Sequence, residues 1–175
     1  MSENTRVYLI DSDVLITAKN SYYAFSICPG FWDSLLYANA QGSVRSLDRI
    51  RSEILNGRHT EDLVRWVKTA VPEAFFVDSG DSPVVQAFTD IMLWVTRHSQ
   101  FTDAAKAKFA SGADGWLAAY AHVTGDTLVT NEQPEPNAKK VIKLPDVCTA
   151  FDVNVSNTFE MLQALNLRYA FTLSS

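Results

Sequence analysis

Short apolar runs alternate along the chain with longer amphipathic segments. Residues 6–10 (RVYLI) are β-branched and aromatic and end abruptly in the polar residues 11–13 (DSD), a pattern typical of a buried strand that runs into a polar loop. The same kind of run predicts strands over residues 74–77, 127–130 and 141–144, and residues 153–155 are compatible with a short fifth strand.

The segments between these runs have helical spacing. Ile50 and Ile54 recur on one face of a helix, and Gly57 is a typical residue at which such a helix ends. Asn157 and Glu160 have the spacing of a capping box at the start of a terminal helix. Helices are predicted over residues 31–41 and 46–56, from Ser82 through Trp94, and from residues 111–114 to Gly125. Two more helices are predicted to start at an N-cap, one at Thr60 and one at Asn157.

Strands that alternate with helices predict an α/β protein, because parallel neighbouring strands need a crossover that is usually helical. We therefore expect a three-layer α/β/α sandwich with a central, mostly parallel sheet of four to five strands. The 175 residues contain no internal repeat and no linker. A single domain over residues 1–175 is predicted.

Composition limits the class of protein. With 47% apolar and 20% charged residues, the chain is typical of a folded globule rather than a disordered or low-complexity chain. No apolar run approaches the roughly 18 residues that span a bilayer. Residues 1–6 lack the apolar core of a signal peptide, so we expect a cytoplasmic protein without membrane contact. Cys28 and Cys148 are too few for a disulfide framework and are expected to be reduced.

The charge distribution leaves contact with nucleic acid open. A net charge of −5 argues against a protein that coats nucleic acid by bulk attraction. Residues 45–68, however, hold six basic and four acidic residues, a net charge of +2. This small basic face is compatible with brief contact to a phosphate chain, although an ordinary solvated helix is the simpler explanation.

Acidic residues occur where parallel sheets place their ligands, at the carboxyl ends of the strands. Asp11 and Asp13 follow the first predicted strand, and Glu132 follows the third. Asp114 lies in the first turn of the helix that leads into that third strand. Glu53 flanks the apolar stripe of its own helix, so its side chain can face the sheet edge rather than water.

Each of these acids alone has an ordinary structural explanation, as a turn cap, a partner of the helix dipole or a solvated side chain. As a group they would repel one another unless a cation held them. Oxygen ligands with retained water suit Mg²⁺ or Mn²⁺, which activate a water nucleophile and stabilise the leaving oxygen of a phosphodiester. The sequence therefore predicts a divalent metal site.

Several segments resemble a known family. Residues 7–16 (VYLIDSDVLI) resemble the opening strand of PIN domains, in which an Asp is followed one residue later by Asn, Ser or Asp. Residues 113–121 (ADGWLAAYA) and 127–132 (TLVTNE) resemble the second half of that domain, where a helix-opening Asp precedes a Leu-Val-Thr strand and a further acid. Residues 19–32 are similar to a bacterial PIN-like subfamily, and the resemblance covers nearly the whole chain.

The resemblance implies a metal-dependent endoribonuclease that cleaves single-stranded RNA with Mg²⁺ or Mn²⁺. Asp11, Glu53 and Asp114 match the three core acids of the family, and Glu132 stands where the family more often has Asp. These four residues are therefore the expected catalytic residues and metal ligands. Asp48 lies on the same helix as Glu53 and is the alternative at that position.

The resemblance also implies supporting residues and partners. Asp13 and Thr130 would hydrogen-bond the ligands or order water. Because PIN nucleases are commonly toxins of toxin–antitoxin pairs, the expected partner besides RNA is a cognate antitoxin protein. Whether the chain forms a homodimer is left open.

A second group of residues invites a substrate-binding interpretation. Lys19 would pair with phosphate, while Tyr22, Tyr23 and Trp32 would stack on unpaired bases. The alternative, which we favour, is that the aromatic residues in this part of the chain pack a helix onto the sheet. The histidines are scattered, and we assign them no catalytic role: His59, His98 and His122.

Two other classes of function remain open. Haloacid-dehalogenase-like phosphatases also place Asp-x-Asp after a first strand, as in Asp11 and Asp13, and Ser79 would imitate their second motif. Their acidic pair on a loop after a later strand has no match here, since Asp114 opens a helix. The other class is a non-catalytic PIN-like binding module, which divalent-ion binding would distinguish from an enzyme.

Overall fold

The computed structural model describes residues 6–57, 61–171 and 173. Its strands are β1 (Tyr8–Ile10), β2 (Val44–Leu47), β3 (Phe76–Val77), β4 (Thr127–Val129) and β5 (Val155–Ser156). They form one five-stranded sheet in the order β3-β2-β1-β4-β5, and every pair of neighbours is parallel. The predicted α/β fold is thus confirmed, and the sheet is parallel throughout.

Helices flank this sheet in an arrangement consistent with a three-layer sandwich. A short 3₁₀ turn at Glu73–Phe75 leads directly into β3. The helices are α1 (Ser12–Asn20), α2 (Pro29–Ala40), α3 (Asp48–Asn56), α4 (Glu61–Thr69), α5 (Ser82–Arg97), α6 (Asp103–Ser111), α7 (Asp114–Thr124), α8 (Leu144–Ala150) and α9 (Thr158–Ala164).

The central strand explains where the candidate site lies. All three residues of β1 are buried, as expected for a parallel strand with both faces covered. Tyr8 is in register with Val44 of β2 on one side, and Ile10 is in register with Val129 of β4 on the other. The residues that follow β1 and β4 therefore emerge side by side at the carboxyl edge of the sheet.

The strand predicted over residues 141–144 is wrong. Residues 141–143 have no regular structure, and Leu144 begins α8, with Pro145 in the first helical turn. Proline is favoured at that position because its missing N–H would have no helical partner there anyway. A four-residue apolar run cannot by its periodicity distinguish a strand from the buried start of a helix.

Several other elements also differ from the prediction. Ser46 and Leu47 belong to β2, so the helix predicted over residues 46–56 begins only at Asp48. Ser46 is fully buried, and its hydroxyl is satisfied by donating to the Ile10 carbonyl at 2.7 Å. Because this buried residue is polar, the sequence around it lacks the apolar run that predicts a buried strand. The polar segment after β1 is the start of α1 rather than a loop, and α6 has no predicted counterpart.

Several helix ends agree with the prediction. Gly125 ends α7 in the left-handed conformation, with φ of +78°, and Gly57 directly follows α3. The capping box of α9 is present, with Asn157 and Glu160 each bonded to the other's backbone N–H. Helix α5 begins at Ser82, with Asp81 rather than Ser82 itself as the N-cap. The predicted N-cap Thr60 lies outside the described residues, as do Arg58 and His59.

Aromatic packing joins α2 and α4. Phe25 stacks on Trp32 with ring centroids 3.9 Å apart, and Trp66 meets the edge of Trp32 at 4.9 Å. Cys28 and Cys148 are both free thiols. Within the described part of the chain, no helix combines the length and the apolar character needed to cross a membrane.

Candidate active site

Asp11 is fixed at the carboxyl edge by its position between two strands. It caps α1 directly after β1, and only 5% of its surface is exposed. Its backbone N–H donates to the Val129 carbonyl at 3.0 Å, which continues the pairing with β4. Its carboxylate accepts the Ser12 N–H on Oδ1 at 2.6 Å and the Thr130 hydroxyl on Oδ2 at 3.1 Å.

Asp13 shares the Thr130 hydroxyl with Asp11. Asp13 Oδ2 lies 3.2 Å from Thr130 Oγ1 and accepts the Asn131 N–H at 2.9 Å. A hydroxyl has one proton to donate, so Thr130 serves one of the two carboxylates at a time. The other oxygen of Asp13, Oδ1, is buried and has no hydrogen-bond partner among the described residues.

Glu53 connects α3 to the start of α7. Its Oε1 accepts the Ala113 N–H at 3.1 Å, one residue before Asp114, and its Oε2 lies 3.5 Å from the Ser12 hydroxyl. Asp48, the alternative on the same helix, instead binds the Ser79 hydroxyl at 2.7 Å. Of the two acids on α3, Glu53 is therefore the one brought to the residues around Asp11 and Asp114.

Asp114 interacts with several of the other acids. Burial raises the pKa of its carboxyl to about 6, and the negative charges of Glu132, Glu53 and Asp13 add to that shift. Lys108 acts in the opposite direction and lowers the pKa of Asp114. Acidic residues from α1, α3, α7 and the segment after β4 therefore belong to one electrostatic cluster.

The same causes act on the acids that follow β1. Burial raises the pKa of Asp11 well above its usual value, and the charges of Asp13 and Asp114 raise it further. The hydrogen bonds from Ser12 and Thr130 act in the opposite direction on Asp11. Burial also raises the pKa of Asp13, and the Glu132 charge contributes to that rise.

Cys148 lies beside this cluster and is inert there. Burial raises the pKa of its thiol to about 12, and the charges of Asp114 and Asp11 contribute. A thiol with such a pKa stays protonated at neutral pH, so it is a poor nucleophile and a poor metal ligand. The candidate site is thus built from oxygen atoms.

Glu132 faces the cluster from its outer side. Its Oε2 accepts the Leu144 N–H at 3.2 Å, and its Oε1 lies 3.8 Å from Lys143 Nζ. Glu132 therefore has an electrostatic partner of its own at the start of α8. Among the residues that the structure describes, no three His, Cys, Asp or Glu side chains form a group that could hold a metal ion as they stand.

The residues expected to bind substrate lie apart from the cluster or inside the protein. Trp32 is 2% exposed, and its indole N–H donates to the Tyr23 carbonyl at 2.8 Å. Tyr23 stacks on Phe31, and the Lys19 ammonium lies 3.9 Å from an Asp62 oxygen. Tyr22, by contrast, is 82% exposed and lines a groove together with Asn131.

The two described histidines also lie in other surroundings. His98 packs against Trp94 and Phe101, and His122 Nδ1 lies 2.8 Å from the Phe151 carbonyl oxygen. His59 lies outside the described residues.

Two residues of the site are missing from the sequence-based set. Ser12 contacts both Asp11 and Glu53, and Asn131 holds Asp13 by its N–H while its Oδ1 accepts the Thr158 hydroxyl at 2.9 Å. Ser12 directly follows Asp11, and Asn131 directly follows Thr130. This adjacency to a predicted site residue is the only sequence signal for either of them. Their contribution depends on backbone placement that spacing alone does not reveal.

The fold and the site together define a class: a parallel α/β sandwich with a cluster of carboxylates at the carboxyl edge of its sheet. A family model described as "Domain of unknown function (DUF4411)" matches residues 8–169, and the chain belongs to this family. No curated protein matches the sequence.

Proposed function

We propose that this protein is a PIN-like, metal-dependent endoribonuclease that cleaves phosphodiester bonds of single-stranded RNA. The observation that carries the proposal is the convergence of Asp11, Asp13 and Asp114 with Glu53 and Glu132 at one edge of the sheet. The charges of Glu132, Glu53 and Asp13 act on Asp114, and together with burial they raise its pKa to about 6. Such repulsion destabilises a fold, which favours a role for the cluster in binding a cation.

The chemistry of the donor set fits Mg²⁺ or Mn²⁺. The candidate ligands are carboxylates, and Asp13 contributes a buried oxygen without a hydrogen-bond partner among the described residues. Elsewhere the fold does pair its buried acids, since Asp126 forms a bidentate ion pair with Arg45 at 2.7 and 2.8 Å. Because the described residues contain no ready-made ligand group, binding requires carboxylate side chains to rotate toward one another.

In this proposal Asp11 and Asp114 hold the ion, with Glu53 and Glu132 at its periphery. When bound, the ion supplies a Lewis acid that lowers the pKa of water and stabilises the leaving oxygen of the phosphodiester. Thr130 and Ser12 keep the Asp11 carboxylate oriented through hydrogen bonds to separate oxygens.

The remaining acids are held from separate directions. Glu53 is held through the Ala113 N–H, so it stays beside the helix turn that carries Asp114. Glu132 acts on Asp114 more strongly than Glu53 does, but Lys143 and the Leu144 N–H compete for its carboxylate. We therefore propose that Glu132 contributes less to metal binding than Asp11 and Asp114 do.

The biological role that we propose is that of a cytoplasmic toxin restrained by a cognate antitoxin protein. Its support is the resemblance of residues 7–16, 113–121 and 127–132 to PIN domains. Expression of the chain alone should then arrest growth, and the Asp114→Asn form should not. Equal arrest by both forms would point to aggregation rather than catalysis.

Cleavage of single-stranded RNA tests the proposed activity. We expect the purified protein to cut RNA with Mg²⁺ or Mn²⁺ and to stop when a chelator is added. Asp11→Asn should lower the rate by roughly a thousandfold, because a ligand to the ion is lost. Equal rates from Asp11→Asn and wild type would identify the activity as contamination.

The same preparations separate the two alternatives. A phosphatase that uses Asp11 and Asp13 would release phosphate from p-nitrophenyl phosphate, which we expect the nuclease to leave intact. A non-catalytic module would cleave neither substrate.

A further inference from the structure

An arginine next to the candidate active site makes two defined side-chain contacts although it is exposed. Arg49 Nε donates to the Ser79 hydroxyl oxygen at 3.1 Å, and its guanidinium carbon lies 3.8 Å from the centroid of the Trp116 ring. Ser79 is fully buried and donates its own proton to Asp48 at 2.7 Å. Arg49 is therefore oriented by two contacts.

The surface under Arg49 is fixed as well. The Trp116 ring stacks on Phe88 with centroids 3.9 Å apart and planes at 10°. Trp116 follows Asp114 by two residues on α7, so this stack is attached to the helix that carries a proposed metal ligand. Arg49 therefore contacts the same helix that carries Asp114.

The outer end of Arg49 is not used by the fold. In the described parts of the chain, neither Nη atom has a hydrogen bond or an ion pair. Holding a long, exposed side chain in one geometry costs conformational entropy. A planar guanidinium with its Nη groups available is the geometry that binds phosphate oxygens in bidentate fashion.

Arg49 lines a cleft of about 480 Å³ that also contains Glu53 and Ala113. Pockets of this size accommodate small-molecule ligands. Arg49 and Glu53 lie four residues apart on α3, about one helical turn or ~6 Å along the axis. A phosphate at Arg49 would thus lie next to the acidic cluster rather than in it.

The two acids that share this cleft are already partly satisfied. Asp48 Oδ1 accepts the Ser79 hydroxyl and the Arg49 N–H, and Glu53 Oε1 accepts the Ala113 N–H. Their charge still weakens anion binding at Arg49 when the metal is absent, and it does so in wild type and in Arg49 variants alike. A comparison between variants of single arginines therefore isolates the contribution of Arg49.

We propose that Arg49 binds a backbone phosphate of single-stranded RNA on the Glu53 side of the acidic cluster. This inference rests on the proposed function, whose substrate it places in the cleft between α3 and α7. Arg49 is a positioning residue here, because it acts on a phosphate next to the scissile one. Its task is to fix the register of the strand.

The test measures binding without cleavage. A fluorescein-labelled uridine oligoribonucleotide of about a dozen nucleotides is titrated with full-length protein in EDTA, and anisotropy is followed over a series of salt concentrations. The variants are Arg49→Ala, Arg49→Lys and the matched control Arg51→Ala. Arg51 is also exposed on α3 but does not line the cleft.

We expect Arg49→Ala to weaken binding roughly tenfold. It should also reduce the slope of log K against log salt by about 0.7, the value for one phosphate contact on a single strand. Arg49→Lys keeps the charge and should keep the slope while recovering only part of the affinity. Arg51→Ala should change affinity by about twofold at most. Equal loss in Arg49→Ala and Arg51→Ala, or no binding by wild type, would overturn the inference.

Its failure is distinguishable from failure of the proposed function. If Arg49→Ala binds RNA as wild type does while wild type cleaves RNA with Mn²⁺, the nuclease stands and this subsite falls. If Arg49→Ala alone loses affinity and salt slope while no form cleaves RNA, the subsite stands and the nuclease falls. Matching melting temperatures of the Arg49→Ala, Arg51→Ala and wild-type proteins exclude unfolding as a cause.

Discussion

At the scale of single residues, the acids of the site have fewer hydrogen-bond donors than their carboxylate oxygens could accept from. Thr130 has one hydroxyl proton for Asp11 and Asp13, and Asp13 Oδ1 has no partner among the described residues. Nearby, burial and the charges of its acidic neighbours raise the pKa of Asp114 to about 6. An ordinary first-turn aspartate would stabilise its helix through the dipole, whereas this one adds repulsion.

Replacing Asp114 by Asn therefore has an expected sign. At neutral pH without metal, the variant should melt higher than wild type by a few degrees, about 1 kcal/mol, because one charge leaves the cluster at nearly constant volume. Asp103, exposed in the first turn of α6, is the matched control. Asp103→Asn should melt slightly lower, since only dipole support is lost. Scanning calorimetry in EDTA measures both, and a lower melting temperature for Asp114→Asn would contradict a shared site.

At the scale of elements, sequence patterns identified most strands and helices but not their junctions. The buried run before Asp11 and the Leu-Val-Thr run before Asn131 are short, apolar and bounded, so β1 and β4 could be predicted. β2 could not, because Ser46 is buried by a hydrogen bond to another strand. The apolar run at residues 141–144 is wrongly predicted as a strand, because four residues are too few for periodicity to distinguish a strand from the start of a helix.

Helix α7 offers a test of one such junction. Gly125 ends α7 with φ of +78°, and a Cβ there would meet nothing within 4 Å, so only backbone strain opposes a side chain. Gly125→Ala should cost about 1 kcal/mol of unfolding free energy. Gly112→Ala, at φ of −92° with ordinary contacts, should change stability by no more than about 0.5 kcal/mol. Equal effects in urea denaturation would refute the assignment of strain to the end of α7.

At the scale of the whole molecule, the sheet collects at its carboxyl edge charges that lie far apart in sequence. Asp11, Glu53, Asp114 and Glu132 could be proposed as one group from strand order and resemblance. Spacing could not reveal that Glu53 is held by the Ala113 N–H or that Lys143 competes for Glu132. Those contacts depend on how side chains from different helices and strands are oriented toward one another, and the local sequence pattern does not predict that orientation.

The cluster should give the metal-free protein an unusual pH dependence. Asp114 has a folded pKa of about 6 against 3.8 for an unperturbed Asp, so the folded state binds more protons between these values. Its stabilising effect is full below pH 3.8 and is lost as pH rises through about 6, at most about 3 kcal/mol in total. In EDTA the melting temperature should therefore fall from pH 5 to pH 7, as followed by circular dichroism.

Two comparisons check the origin of this trend. Asp114→Asn should reduce the fall in melting temperature between pH 5 and pH 7, because one of the acids with a raised pKa is gone. Saturating Mn²⁺ should reverse the slope, because metal binding requires ionised carboxylates. A wild-type protein that gains stability from pH 5 to pH 7 without metal would contradict the shifted pKa values.

The central claim is that these acids form one metal site, and a crystal soaked in Mn²⁺ tests it most directly. We expect an anomalous peak at the carboxyl edge of the sheet, with oxygens of Asp11 and Asp114 at ~2.0–2.3 Å from the ion. Glu53 or Glu132 should complete the site, directly or through water. Saturating Mn²⁺ that gives no peak there, or that binds only elsewhere on the surface, would contradict the account.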